Sequence, residues 1–427
     1  MRGTACVLGC ISLFMPSAAW GQLSVGAASV DITPTQLPVI VNGGMVSNSA
    51  HSIKTRLNAR AIVMSEEGER VAIVVADSCM MPRELLDEAK QLASTRTQLR
   101  ADRILISATH THSAAACMGA LGTEADLNYV PLLRQKLVEV IIAAEANLEP
   151  AEVGWGTAAA PEFTALRRWV RRPDRVATDP FGNPTVRANM HAAGNPDDAI
   201  GPTGPEDPEL SLIAFRSAKG QRPLAVLANF SMHYFSDAAI SADYFGLFSD
   251  GFQELLKLRN VNAKQAVAMM SHGCSGDIWR RDYFLPAPTP GVTIEAYSQG
   301  LLAIATKAYD AIDYQAGATL KMAEARLPMR YRVPDAQRLE WGQRIVAEMG
   351  DRLPKNETEV YAREQVLLHE RQSTEIVLQA IRIGDIAIAA GAHGIDFAAF
   401  EAIDDTETIT GWRYRWLAPA HRALGEP

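Results

Sequence analysis

Cysteine is scarce in this chain, at 5 of 427 residues, and no two cysteines stand as a Cys-x-x-Cys pair. Cys6 and Cys10 fall in the extreme N-terminal segment, which leaves Cys79, Cys117 and Cys274. Three is odd, so at most one bridge forms, and neither a disulfide scaffold nor a cysteine zinc site is indicated. Basic residues are also in short supply: 41 Lys and Arg against 49 Asp and Glu give a net charge of −8, so no nucleic-acid partner is expected. No apolar run has the length of a permanent membrane span. The chain shows no repeat period, no long low-complexity tract, no Gly-x-Ser-x-Gly elbow, no Walker A loop and no dinucleotide fingerprint, which removes the commonest nucleophile-elbow and nucleotide-binding classes.

What is present describes a globular protein. A hydrophobic content of 48% with 21% charged residues fills the core of one large domain or two ordinary ones. Residues 1–21 run from Arg2 through the apolar stretch Cys6 to Met15 to Ala18-Ala19-Trp20-Gly21, the layout of a secretory signal with cleavage before Gln22. A lipoprotein reading with Cys10 after Val7-Leu8-Gly9 fits less well, because most of the apolar run lies beyond that cysteine. The mature chain is expected to be secreted or periplasmic, with 40 basic against 49 acidic residues once Arg2 is gone, a net −9.

Val25 to Pro34 alternates into a strand that Pro34 stops. Short β-branched runs recur at Ala61 to Met64, Val71 to Ala76, Ile104 to Ser107, Leu224 to Phe230, Ala266 to Met270 and Ile381 to Ala389. Helical spacing fills Glu84 to Leu92, Leu132 to Ala144, Tyr244 to Leu258 and Ala296 to Ile312, and predicts two exposed helices over Pro334 to Met349 and Glu357 to Arg371. This interleaving predicts an α/β or mixed α+β fold of layered β-sheets flanked by helices. Thr164 to Pro208, rich in arginine, proline and glycine, reads as a long loop over one end of the sheet. Residues 22–390 form the expected catalytic domain, and 391–427 a tail without clear period, with the unusual Trp412-Arg413-Tyr414-Arg415-Trp416.

Three strand ends carry candidate chemistry. Ile104 to Ser113 ends a buried strand in His110 and His112, and period-two geometry is expected to point both imidazoles to one face, where they can ligate a divalent metal such as zinc. A His-x-His pair also occurs as ordinary surface residues, so context has to carry the reading. Leu224 to Tyr234 is a second apolar strand ending in a histidine, His233; the plain alternative is a hydrogen-bonded core residue. Met269 to Asp277 is a third, with His272, small residues and Asp277, which could ligate, orient a histidine or close a turn. Asp243, ten residues beyond His233, could reach the same mouth or cap the helix from Tyr244 onward. Cys117 and Cys274 read as small buried apolar residues rather than nucleophiles.

Ser107-Ala108-Thr109-His110-Thr111-His112-Ser113 resembles the Gly-Thr-His-Thr-His-Ser motif of the neutral/alkaline ceramidases, and Val25 to Pro34 resembles the start of their mature domain. Thr55 to Ala61, Asp77-Ser78-Cys79 and Gly276-Asp277 follow in the same order and at similar spacing, so the resemblance covers most of residues 24–390. It implies an N-terminal catalytic domain that uses zinc to activate water against the amide of ceramide. By the same resemblance His110 and His233 would ligate zinc, His112 would be their active-site neighbour, and Arg167 would lie near the substrate, with Arg168 almost as good a match.

The chain also departs from that pattern. Ala114-Ala115-Ala116-Cys117 replaces a glycine-rich stretch, and Trp279 stands where the family has an active-site serine. The family's glutamate and tyrosine ligands have no match in Gly391-Ala392-His393-Gly394-Ile395-Asp396 or at Tyr414, and the expected fold is without the family's C-terminal β-sandwich, since the given chain stops at Pro427. Asp243, Asp277, His272 or His393 would then complete the metal set. The sequence thus predicts a zinc-dependent hydrolase in which His110, His233 and Asp243 hold the metal while His112, Arg167 and Asp277 act on a small-molecule or lipid amide substrate, a lipid being compatible with peripheral membrane contact. The competing reading is a secreted binding or scaffold protein that keeps the fold without activity.

Overall fold

The computed structural model describes residues 22–260, 266–285, 292–392 and 412–415. The expected signal segment and the candidate ligand His393 lie outside them.

The first half of the core begins with β1 (Ser24–Asp31), a small hairpin of β2 (Val39–Val41) and β3 (Asn48–Ala50), then β4 (Asn58–Glu66), β5 (Glu69–Ala76), α1 (Arg83–Ser94), β6 (Ile104–Ala108) and α2 (Tyr129–Ala146). β4 and β5 are buried on both faces, which is why their sequences read as continuous apolar runs rather than alternating ones. β1, β4 and β5 form an antiparallel meander, and β6 joins β5 in parallel after the α1 crossover. The helices keep the expected spacing: α1 buries Leu85, Leu86, Ala89 and Ala93, and α2 buries Leu133, Leu137, Val140, Ile141 and Ala144.

The second half repeats that order. β7 (Glu149–Ala159) leads into an excursion of β8 (Ala165–Leu166), β9 (Arg168–Arg171), β10 (Ala188–Met190) and β11 (Ala199–Pro202), then into β12 (Glu209–Ser217), β13 (Pro223–Phe230), α3 (Asp243–Arg259), β14 (Val267–His272), β15 (Ile278–Trp279) and α4 (Ile294–Asp310). β7, β12 and β13 form the meander, and β14 pairs β13 in parallel. The strand order β14-β13-β12-β7-β1-β4-β5-β6 is therefore the same unit written twice about the β7–β1 junction. The sequence shows no period because the repetition is one of topology. Thr164 to Pro208 also differs from the expected structureless loop: β10, β9 and β11 make a small sheet, and β8 pairs with β15.

β1 and β7 pair only at their starts, Ser24 with Pro150 and Val25 with Glu149, so the halves fold against each other. β14 touches β4, β5 and β6, strands with which it does not pair. Ile62, Met64, Ile73 and Leu105 from the first half share one core with Val153, Phe215, Leu227 and Met269 from the second. α1 and α2 cover the outer face of the first half, and α3 and α4 that of the second.

The chain continues through β16 (Tyr314–Gln315), β17 (Leu320–Arg330), α5 (Ala336–Met349), α6 (Glu357–Arg371), β18 (Ser373–Ile383), β19 (Ile386–Ala392) and β20 (Trp412–Arg415). The single strand expected over Ile381 to Ala389 is a hairpin, turned at Gly384 with φ +59°. β17 to β20 form a further sheet whose Leu320, Met322, Ile381 and Ile388 close the central core. Asp335 and Asn356 cap α5 and α6 by accepting the N–H groups of Arg338 and Glu359. No described helix is long and apolar enough to cross a membrane.

Candidate metal centre

Folding the two halves together brings the outgoing ends of β5, β6, β13 and β14 to one place, where side chains from separate strands can converge. The floor on the first-half side is an ion pair. Arg60 and Asp77 are almost wholly buried, 2.9 Å apart, and Asp77 also accepts the Asn58 N–H at 2.8 Å. Burial raises the Asp77 carboxyl above the usual range in spite of Arg60. Ser78 and Cys79 follow directly, and their carbonyls take the His110 backbone N–H and the His110 Nδ1, each at 2.9 Å.

His110 and His112 both lie beyond β6, so strand alternation is not what aims them. His110 adopts φ +67°, a left-handed conformation uncommon for a side chain this large. That twist turns the two rings into contact, with Nε2 to Nε2 at 3.0 Å and ring planes 85° apart. His112 rests with Nδ1 beside Gly43, whose backbone it hydrogen-bonds; a Cβ at Gly43 would lie 2.3 Å from that nitrogen, and the glycine's φ of +102° is equally closed to side chains. Tyr234 stacks on the other face of His112, centroids 3.6 Å apart.

From the second half, His233 places its ring 4.8 Å from that of His110 and 5.6 Å from that of His112. Its Nδ1 donates to the Ser275 carbonyl at 2.9 Å, which leaves Nε2 as the acceptor facing the Arg167 guanidinium at 3.4 Å. Arg167 is buried and anchored by Nε and Nη2 on the Gly276 carbonyl, at 3.0 and 2.6 Å. His272, also buried, holds the Thr109 carbonyl through Nδ1 at 2.8 Å and meets the Ser275 hydroxyl through Nε2, tying the β14 end to the residue before His110. Burial, then the neighbouring His110 and Arg167, drive His112 well below the usual histidine value; for His233 burial comes first, then Arg167 and His110.

The consequence is a set of imidazoles each tied through Nδ1 to the backbone, with Nε2 turned inward. Cys79, His110 and His112 offer ligand atoms within 4.8 Å of one another, a group able to hold a metal ion. Within that group the thiol approaches His110 on the Nδ1 side, at 3.9 Å, where Nδ1 already faces the Cys79 carbonyl. The nitrogen directed at His112 is Nε2.

His110, His112, His233 and Arg167 are thus brought together in the folded chain. Asp277 reaches the site through its backbone: its carbonyl accepts the Arg167 N–H at 2.8 Å. Asp243 behaves as a cap and not as a member of the cluster, since its carboxylate accepts the backbone N–H groups of Phe235, Ser236 and Tyr244. Sequence reasoning passed over Cys79, Gly43, Tyr234 and Ser275. Asn42-Gly43-Gly44 was the available sign of a close backbone approach, and Cys79 stood in a motif already singled out. None of Cys79, Cys117 and Cys274 forms a disulfide; Cys79 and Cys117 are buried, whereas Cys274, expected to be buried, is exposed. Cys117 is buried against the Met80 carbonyl and pushed up to about 12, the state of an inert packing residue.

These features define a layered α/β protein with a histidine-rich candidate metal centre. Residues 23–172 match the family described as neutral/alkaline non-lysosomal ceramidase, N-terminal. Its fold is similar to that of the neutral ceramidase from Pseudomonas aeruginosa, at 18% identity and a TM-score of 0.58 over 86% of this chain and 61% of that one. A ceramidase structure complexed with C2 is similar at 17% identity and a TM-score of 0.58, over 86% of this chain and 62% of the other. The chain therefore spans about three-fifths of the length of these solved relatives.

Proposed function

We propose that the protein is a secreted zinc-dependent hydrolase that cleaves the amide bond of a lipid-like N-acyl substrate, with ceramide as the first candidate. One observation carries the metal: two Nε2 atoms face each other at 3.0 Å while both rings have Nδ1 turned to the backbone. Two neutral imidazoles in that arrangement set lone pair against lone pair, which only a shared cation relieves. Burial works against a shared proton, because it disfavours the charged form of His112.

The Nε2 atoms of His110, His112 and His233 would hold the zinc. Bound zinc supplies Lewis-acid polarisation of the substrate carbonyl and lowers the pKa of water to about 7. Around it the protein does the positioning. The backbone carbonyls of Cys79 and Ser275 fix the tautomers of His110 and His233. Arg167, clamped on Gly276, is placed to hold the oxygen that gains charge as the amide is attacked. Asp277 holds the Arg167 backbone, and Asp243 keeps the loop after His233 in shape and is left out of the ligand set.

A binding protein without catalysis is favoured by one contact, the Arg167 guanidinium against the His233 nitrogen that the metal would need. Metal analysis of the purified chain, with hydrolysis of N-acyl amides of increasing chain length, separates the two. The enzyme carries about one metal per chain, loses it in His110→Ala and His233→Ala, and turns over amides. Metal retained without turnover of any amide leaves the binding reading, and no metal at neutral pH removes the hydrolase.

A further inference from the structure

Away from the histidines, α6 and the loop that follows His112 enclose a cavity of about 580 Å³ whose walls include Met118, Leu121, Leu367 and the carboxyl of Glu364. That is the size of a small-molecule site. Glu364 is 1% exposed, and its Oε2 has no hydrogen-bond partner, whereas the other side of the carboxyl is met by the Leu121 backbone. A buried acceptor left unmet costs on the order of 1–3 kcal/mol, so what fits the cavity is something that donates to it.

The charged lining narrows the choice. Arg363 is engaged by Glu124, and Arg83 by Glu84 and Glu375, so these two cations already face carboxylates, and Arg371, the third cation of the lining, has an interaction of its own. The same lining has an apolar part: Leu121 belongs to the cluster formed with Met118, Ala120 and Val360, and Leu367 stands on the Glu364 turn of α6. We propose that this cavity is a second binding site, separate from the histidine centre, which takes a small primary amine, its ammonium donating to Glu364 Oε2 and its short alkyl body lying on Met118, Leu121 and Leu367. The site stands whether or not the histidine centre is hydrolytic.

Burial pushes the Glu364 carboxyl up to about 7, against the pull of Arg363 and Arg371 on its own helix. Arg83 and Glu84 on α1, Cys117 and Glu124 on the loop, Tyr331 just after β17, and Ser373 and Thr374 on β18 are the other polar or titratable residues of the lining. An ammonium binds the ionised carboxylate, so affinity rises roughly tenfold between about pH 6 and about pH 8.

The test is calorimetric titration of the full chain with hexylamine, hexanoate and inorganic phosphate, in wild type, Glu364→Gln and the cavity-filling Leu367→Trp, with melting curves to verify folding. Hexylamine binds wild type, weakens about tenfold or more in Glu364→Gln as one charge-assisted hydrogen bond is lost, and is blocked in Leu367→Trp. Hexylamine affinity unchanged by both variants, absence of hexylamine binding, or hexanoate or phosphate bound in its place overturns the proposal. Should Glu364→Gln fail to fold, Leu367→Trp and the pH dependence of the wild type decide it alone.

Discussion

Replacing Arg60 by methionine tests the physical basis of the site most directly. Arg60 is 2% exposed and Asp77 0%, and the wild-type pair sits at 2.9 Å. Arg60→Met keeps the apolar stem and removes the cation, so Asp77 is left as a buried carboxylate with the Asn58 N–H and with an Oδ1 that has no partner. Breaking a buried pair in this way costs about 3–5 kcal/mol. The second arm, Arg60 to Asp250, adds little, about 0–1 kcal/mol, because the Asp250 side chain is 61% exposed. The double variant Arg60→Met/Asp77→Asn removes the stranded charge but keeps an acceptor for Asn58, and should recover about 1–3 kcal/mol of the loss. Urea unfolding of the metal-free protein at pH 7, read as a shift in midpoint at constant slope, measures both. Because the next two residues present the carbonyls that hold His110, zinc affinity should fall along with stability. A loss below about 1 kcal/mol for the single variant, or a double variant no more stable than the single, would refute the account of a charge supported by its partner.

Four further outcomes follow from the geometry. Cys79→Ser should retain the metal while His112→Ala weakens it by about 100-fold or more, by competition titration, since the thiol lies on the Nδ1 side of His110 and His112 meets its Nε2; the reverse ranking would make the thiol a ligand. Asp243→Ala should cost about 2 kcal/mol through three backbone N–H groups left without their acceptor, with metal content by elemental analysis unchanged. His112 and His233 are depressed below their unfolded value, so the stability they contribute is present above about pH 6.5 and is lost as pH falls, when the unfolded chain takes up protons that the fold refuses, by up to about 2.7 kcal/mol per unit for the two; a urea midpoint of the metal-free chain that stays level from pH 7 to pH 5.5 contradicts this. Glu364 works in the opposite sense: raised from 4.5 to about 7, it contributes stability fully present below about pH 4.5 and lost as pH rises through about 7. Wild type should therefore lose about 3 kcal/mol relative to Glu364→Gln between those limits, measured by the same unfolding curves.

Local chemistry was legible because it is written in short windows. The apolar runs of β4, β5, β6 and β13 and the spacing of α1 to α4 follow from side-chain burial over four to eighteen residues, and each stands where its periodicity placed it. His110, His112 and His233 could be singled out because each follows such a run, and the resemblance to the ceramidases added Arg167. The boundary between Ile383 and Ile386 was missed because Gly384 turns a hairpin inside what reads as one apolar run. The strands within Thr164 to Pro208 were missed because they are two to four residues long and depend on partners distant in sequence, such as Ile278 with Leu166.

What the sequence by itself determined is therefore the set of elements and the chemical inventory: strands, helices, histidines that follow apolar runs, and too few cysteines for a disulfide scaffold. Only the tertiary structure decided which of these meet. The repeated unit is invisible to sequence comparison, since a topology can recur without its residues, yet its closure at the starts of β1 and β7 is what brings four strand ends together. The positive φ of His110 turns its ring onto His112, and the Ser275 carbonyl decides which nitrogen His233 presents. Asp243 could have served as ligand or cap, and the choice fell to three backbone N–H groups that converge on it only in the folded chain. Distances between residues remote in sequence are set by packing, and metal chemistry depends on those distances to within a few tenths of an ångström.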